Sequence, residues 1–492
     1  MGMSNNIALT SAATLARDIR RGERSPVEVV DLVLDRIENH DTVNAFTATR
    51  PDAAREEAEA AEEAVDAGRE LGPLHGVPVA LKDLFGFKEG LPNTFGSVPF
   101  KDFVPDTSAI VTERLEAAGA IVVGTTNVPE FGHKGLTDNG LFGPTSTPFD
   151  LNRNAGGSSG GATAAVGAGL VPLAQGADGG GSIRIPSSFS GIYGIKPSFG
   201  RVPLRSRPDA FGLHTPFIHH GPHARTVEDA ALMLDVIAGP HPDDPFSLPA
   251  DDVESYVGAS HRGIDGYDIA YSRHLGDFPV DERVLEVMDD AVQAFEPAGA
   301  TVEEVDIDFP VSHTELTEMW MRQIGVFYAE MAENFADAGM VDLFEHRDEL
   351  TPEFADLLDL GQELGAVEYK KDDVVRTQVY EAIQDVFAEY DLLITPTMAV
   401  PPVENANEGT TLGPDTIDGQ AVDRCLGFCL THPINYTGHP AASIPAGFTA
   451  DDLPIGMQIV GPRFDDASVL AASGAFERVR PWHHRYEVVV PG

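Results

Sequence analysis

A chain of 492 residues, 42% of them hydrophobic, is long and apolar enough to bury a large core, which excludes general disorder. Its 33 Lys and Arg stand against 78 Asp and Glu, a formal −45 scattered along the whole sequence, and this excludes nucleic acid and anionic membranes as direct partners. No apolar run is long enough to span a bilayer, so no membrane contact is expected.

In chain order, the segment up to about residue 70 reads as helical. "SPVEVVDLVLDRIENH" (25–40) offers Ser25 as cap, Pro26 in the first turn and Glu28 to close a capping box. "AAREEAEAAEEAVDAG" (53–68) is polar nearly all round, which predicts a surface helix ending at Gly68. The pattern then changes to "GVPVALKD" (76–83), a short apolar run that fits a strand buried on both faces. A helix in "TSAIVTERLEAAGA", a strand in "AIVVGTTN", a helix after "GGSSGG", a strand in "LVPLAQGAD" and a helix in "TVEDAALMLDVIAG" follow. Further strands are predicted in "DGYDIAYSR", "ATVEEVDI" and "DLLITPT", with a long helical stretch from about His313 to Tyr390 before the last. "PAASIPAG" and "LPIGMQIVGP" complete the strands, and "DASVLAASGAFERV" is a closing helix. Such alternation predicts an α/β fold with a mixed sheet. The acidic, Pro-rich "GPHPDDPFSLPADD" (239–252) reads as a surface loop.

The N-terminus lacks a charged start followed by an apolar block, and the chain is expected to be cytoplasmic. The excess of acid predicts a protein of a salt-rich cytoplasm, because molar salt cuts the screening length to roughly 3 Å. Cys425 and Cys429, four apart in "CLGFCL", are expected on one face of a helix as small buried side chains. No further ligands stand at matching spacing, so no metal is assigned to them, nor to the adjacent pairs His219 and His220 or His483 and His484.

Residues 156–184, "GGSSGGATAAVGAGLVPLAQGADGGGSIR", concentrate glycine around serine. A flexible tether is excluded by the apolar interior "ATAAVGAGLVPLAQ". A phosphate loop would need a Lys-Ser/Thr after the glycines, or G-x-G-x-x-G between strand and helix. What remains is "DGGGS", three glycine N–H groups beside a serine hydroxyl, which suits an oxyanion hole next to a nucleophile. Such a serine needs a base. Lys82, one of only seven lysines, ends the apolar strand, where open α/β sheets place their sites, and burial can hold a lysine neutral.

"GVPVALKDLF", "VVGTTNVPEFG", "GGSSGGATAAVGAGLVPL" and "ADGGGSIRIPSSFSGIYGIKPSFGRVP" closely resemble the amidase signature family of Ser-Ser-Lys hydrolases, and the resemblance continues in "GHPAASIPAGF" and "LPIGMQIVG". It implies one α/β/α domain over 1–492 around a central mixed sheet, with a substrate-shaping region from about 200 to 440. It puts the nucleophile on Ser182, the bridging serine on Ser158 and the base on Lys82, with a cis peptide between Gly157 and Ser158. The oxyanion would be held by N–H groups of Gly179, Gly180, Gly181 and Ser182. Ser159 and Arg184 match family positions near the triad and, with Asp178, are expected at the substrate, although for Arg184 a structural pairing with Asp178 is the favoured role. Phe131, His133 and Asn139 are candidate pocket residues. Where many relatives have Thr or Ile after the loop Asp, this chain has Gly179, which is expected to loosen the loop.

The implied reaction is hydrolysis of a small-molecule amide to carboxylate and amine, with no cofactor and no metal. A homodimer is compatible with the resemblance. The other readings are a glutaminase component of a tRNA-dependent amidotransferase, disfavoured by Ile185 where such proteins carry Gln, and a non-catalytic scaffold, disfavoured by the intact relay residues.

Overall fold

The computed structural model describes residues 7–250, 253, 255–406 and 409–486. The capped helix forms as Pro26–His40, and Ser25 Oγ accepts the Glu28 N–H at 3.2 Å. The second helix, Pro51–Asp66, is followed by Gly68 at φ 63°. It is not polar all round: Ala54, Ala58, Ala61 and Ala64 form a stripe of small side chains that faces the core. Between the two helices the chain enters the sheet, so the N-terminal segment is not wholly helical.

The strands in chain order begin with β1 (Phe46–Thr49), β2 (Pro78–Lys82), β3 (Ile121–Thr126), β4 (Ser146–Thr147) and β5 (Asp150–Asn154). Next come β6 (Leu173–Asp178), β7 (Tyr193–Lys196), β8 (His219–Ala224), β9 (Asp268–Tyr271) and β10 (Thr301–Glu304). The last are β11 (Leu392–Pro396), β12 (Thr416–Ile417), β13 (Gln420–Ala421), β14 (Ala441–Phe448) and β15 (Pro454–Val460). Eleven of them make one sheet in the order β1-β3-β2-β6-β8-β7-β14-β15-β11-β9-β10. It is mixed: β2 runs parallel to β3 and β6, β9 runs parallel to β10 and β11, and the remaining neighbours are antiparallel.

Every residue of β2, β3, β6, β8, β11 and β15 is buried. Successive side chains on a strand point to opposite faces, so both faces of the central sheet are covered. The apolar run at 76–83 is one such strand, as its composition requires. β7 and β8 carry no such signal, since "YGIK" and "HHGPHA" are poor in branched apolar residues. They become strands because hydrogen-bonding neighbours on either side claim their backbone.

The helical stretch expected from His313 to Tyr390 is three helices, His313–Asp337, Pro352–Glu363 and Ala366–Phe387. Gly339 at φ 69° follows the first, and Pro352 opens the second. The cysteines are not on a helix. Asp423 Oδ1 accepts the N–H groups of Cys425 and Leu426 at 2.9 and 2.8 Å, turning the chain locally, and Cys429 bridges to Met398 instead. The acidic segment from 239 is a loop through its described part. Among the described residues, no helix is long and apolar enough to cross a membrane.

Candidate active site

β2 and β6 are parallel neighbours, so their carboxyl ends open on the same edge of the sheet. β2 ends on Lys82 and β6 on Asp178, and the glycine loop 179–181 follows directly. Ser158 and Ser159 lead into the helix Gly160–Gly167, which packs behind β6. The Ser159 N–H donates to Ser182 O at 3.2 Å and ties the two serine segments together. The peptide between Gly157 and Ser158 is cis. Only glycine fits at 157, since a Cβ there would stand 2.8 Å from the Leu136 nitrogen.

These elements enclose a cleft lined by Lys82, Ser158, Ser182, Asp178, Gly179 and Gly180. Lys82 Nζ lies 2.8 Å from Ser158 Oγ and 3.2 Å from Ala177 O. The Lys82 N–H donates to Gln175 Oε1 at 3.1 Å, which fixes the strand end. The amine is 1% exposed, and burial lowers its pKa from 10.5 to about 7, against the opposing pull of the Asp178 charge. Among the described residues, no carboxylate is hydrogen-bonded to it. On the other side β8 presents histidines: Gln175 Nε2 donates to His220 Nδ1 at 2.8 Å, and burial holds His220 and His223 neutral, with pKa values of about 3.

Asp178 is held as a carboxylate. Burial pushes its pKa up, but the charge and hydrogen bonds of Arg184, with Lys196 behind, more than offset this and leave it well below the usual range. Arg184 is fully buried and all five of its N–H donors are engaged: two on Asp178, one on Thr431 O, one on Gln458 Oε1 and one on Asn435 Oδ1. It has nothing left for a substrate. Ser159 is likewise buried behind the cleft, with its hydroxyl on Ala177 O at 3.3 Å. Of the three residues expected at the substrate, only Asp178 reaches the cleft, and its oxygens are already engaged.

In the glycine loop, the Gly181 N–H donates to Asp178 Oδ1 at 2.8 Å, which removes it from the expected oxyanion donors. Among the described residues, the N–H groups of Gly179, Gly180 and Ser182 have no acceptor within the chain. The Asp178, Gly179 and Gly180 carbonyls accept hydrogen bonds from Asn435, Trp320 and Thr431 respectively.

The rest of the wall is apolar. Leu84, Phe85, Phe131, Gly132 and Ile218 contribute, together with Trp320, Ile324, Phe327 and Tyr328 from the helix His313–Asp337. Phe131 thus stands where the sequence leads one to expect it. His133 is not on the wall but buried with Nδ1 on Glu130 O at 2.7 Å, and Asn139 braces Asn127 and Val128. The four residues of the long helix escape a reading of sequence alone, although their spacing of four, three and one marks a single apolar face. Among the described residues, no group of three or more His, Cys, Asp or Glu could hold a metal.

The large mixed sheet brings a buried lysine and a glycine-serine loop to one cleft. The Amidase family model matches residues 28–470, and the chain belongs to the amidase signature family. An acylamidase of Rhodococcus erythropolis is 37% identical over 480 residues, covering 97% of both chains. A glutamyl-tRNA(Gln) amidotransferase component of Geobacillus thermodenitrificans is 36% identical over 492 residues, covering 96% of this chain and 97% of its own. The crystal structure of a bacterial aryl acylamidase of the same family superposes with a TM-score of 0.94 at 39% identity, covering 98% of this chain and 99% of that one. The protein is an amidase.

Proposed function

We propose that this amidase hydrolyses small uncharged amides with an apolar acyl or aryl group, using Ser182 as nucleophile, Ser158 as proton bridge and Lys82 as base. The observation that carries the reading is a fully buried amine 2.8 Å from Ser158 Oγ, in the cleft that Ser182 also lines. With its pKa brought down to about 7, Lys82 is largely neutral just above neutral pH and its lone pair can accept a proton.

Ser182 Oγ attacks the amide carbon as its proton passes to Ser158 Oγ, and the Ser158 proton passes to Lys82 Nζ. The negative charge that develops on the carbonyl oxygen is met by the free N–H groups of Gly179, Gly180 and Ser182. The C–N bond then breaks, with the protons returning along the same path so that Ser158 protonates the leaving nitrogen. Water then attacks the acyl ester, its proton passing through Ser158 to Lys82, and as the ester C–O bond breaks the proton returns through Ser158 to Ser182 Oγ, releasing the carboxylic acid.

The wall supports the choice of substrate. Among the described residues, its only charged side chains are Lys82 and Asp178, and both are engaged by the protein. Nothing there is free to pair with the α-ammonium and α-carboxylate of glutamine, which disfavours the glutaminase reading despite the amidotransferase component found among the relatives. The names of the acylamidase and aryl acylamidase point the same way.

A fluorophosphonate adduct located by mass spectrometry tests the nucleophile. The adduct is expected on Ser182 and is lost in Ser182→Ala, and labelling elsewhere overturns the assignment. Acetanilide-type amides should be hydrolysed and L-glutamine left intact. Faster turnover of glutamine would reverse the substrate choice.

A further inference from the structure

Trp320 stands on the long helix His313–Asp337, far in sequence from the glycine loop, yet it meets that loop twice. Its Nε1–H donates to Gly179 O at 3.0 Å. Its ring lies so close to the loop that a Cβ on Gly180 would be 2.8 Å from the indole Cε2 and Nε1. Thr431 Oγ1 donates to Gly180 O at 2.6 Å.

In a trans peptide the C=O and the following N–H point in opposite directions. Whatever holds the Gly179 carbonyl therefore also aims the Gly180 N–H, and whatever holds the Gly180 carbonyl aims the Gly181 N–H. The second of these is fixed at both ends, by Thr431 and by Asp178 Oδ1. Among the described residues, the first is fixed through Trp320 alone. Its N–H is one of the donors left free for developing charge, and a glycine peptide has no side chain to resist rotation. Donors act in catalysis only if they are oriented before the charge appears.

We infer that Trp320 is a positioning residue for the amide hydrolysis: its indole N–H locks the 179–180 peptide so that the Gly180 N–H is set toward the reacting carbonyl, with Thr431 locking the next peptide. The inference rests on the proposed role of the glycine loop as an oxyanion site. It also accounts for Gly180, because no other residue would let the ring come this near.

Trp320→Phe keeps an aromatic ring against Gly180 and removes only the donor. Steady-state kinetics on an anilide should show kcat down about tenfold to a hundredfold with KM within about twofold, the pattern of an interaction made in the transition state. Inhibition by an uncharged trifluoromethyl ketone, which forms a tetrahedral adduct with a serine nucleophile, should weaken by the same factor as kcat/KM. Trp320→Tyr, which also lacks the indole donor to Gly179 O, should show the same split and serves if Trp320→Phe melts early. A raised KM with unchanged kcat and unchanged ketone affinity in both variants would make Trp320 a wall residue only. Ser182→Ala separates the two levels: if it abolishes turnover while Trp320→Phe leaves kcat intact, only this inference falls. If Ser182→Ala retains activity, the oxyanion reading falls with it.

Discussion

Lys82 is the residue on which stability and chemistry conflict. Burial holds its pKa at about 7, below the ordinary 10.5, so between those values the unfolded chain binds more protons than the folded one. Stability contributed by this site therefore rises with pH across that window and is lowest below pH 7. Lys82→Met should remove the slope and stabilise the protein by about 1–3 kcal/mol at pH 6, since a buried charge with no carboxylate partner is exchanged for an apolar side chain. The same variant should lose about a thousandfold or more in kcat/KM. In the wild type, kcat/KM should climb about tenfold per pH unit below pH 7 and level off above it, because only the free amine can take the proton. Urea melts at pH 6 and pH 9 and a pH–rate profile check both. A bell centred on pH 5 would point to a carboxylate as base.

Lys82 ends a strand and Ser158 and Ser182 stand on the segments beside it, while two helices carry the pocket and meet at an unusually close crossing. Helix His313–Asp337 supplies Trp320, Ile324, Phe327 and Tyr328 to the wall; helix Pro352–Glu363 supplies Phe354, which stacks on Phe131 at 4.8 Å. A Cβ on Gly361 would come 2.0 Å from Gly325 O, and backbone cannot swing aside. Gly361→Ala must therefore separate the helices, at a cost of about 1–3 kcal/mol. Because Lys82 and the serines sit on the sheet side, KM for an anilide should rise more than kcat falls. A thermal melt and the kinetic constants measure this, and an unchanged KM would show that the crossing does not set the wall.

This division also explains what the sequence makes legible. Strands such as β2, buried on both faces, announce themselves as apolar runs, and the glycines around Ser158 and Ser182 mark a backbone in use, but it is the family resemblance that pairs Lys82 with Ser158, which stand 2.8 Å apart. The helix with Trp320 reads as any amphipathic helix, since nothing local distinguishes an apolar stripe that lines a cleft from one that fills a core. Arg184 is ambiguous in sequence for a related reason: only three dimensions reveal that Gln458 and Asn435 use up its remaining donors.

Across the whole molecule, an accessible surface of 17926 Å² carries a net −45, which sets the excess charges roughly 20 Å apart on average. The screening length is about 30 Å at 0.01 M salt, 10 Å at 0.1 M and 3 Å at 1 M. Repulsion at the mean spacing is thus relieved by about 0.1 M. Clusters are a different matter. On helix Pro51–Asp66 the exposed Asp52, Glu56, Glu59, Glu63 and Asp66 form one stripe at intervals of three and four residues. Neighbours there are about 6 Å apart, and like charges at this spacing destabilise a helix by about 0.2–0.5 kcal/mol per pair. A 10 Å screening length does not reach inside that stripe, whereas a 3 Å length does. The unfolding temperature should therefore rise in two stages, steeply from 0.01 to 0.1 M KCl and again, less steeply, between 0.1 and 1 M. Replacing Glu56, Glu59 and Glu63 together by Gln should raise the low-salt value and flatten the second stage, leaving the first largely in place. Melting curves of both proteins across the KCl series decide it. A wild-type unfolding temperature that does not change from 0.01 to 2 M would mean that self-repulsion is not what limits this fold.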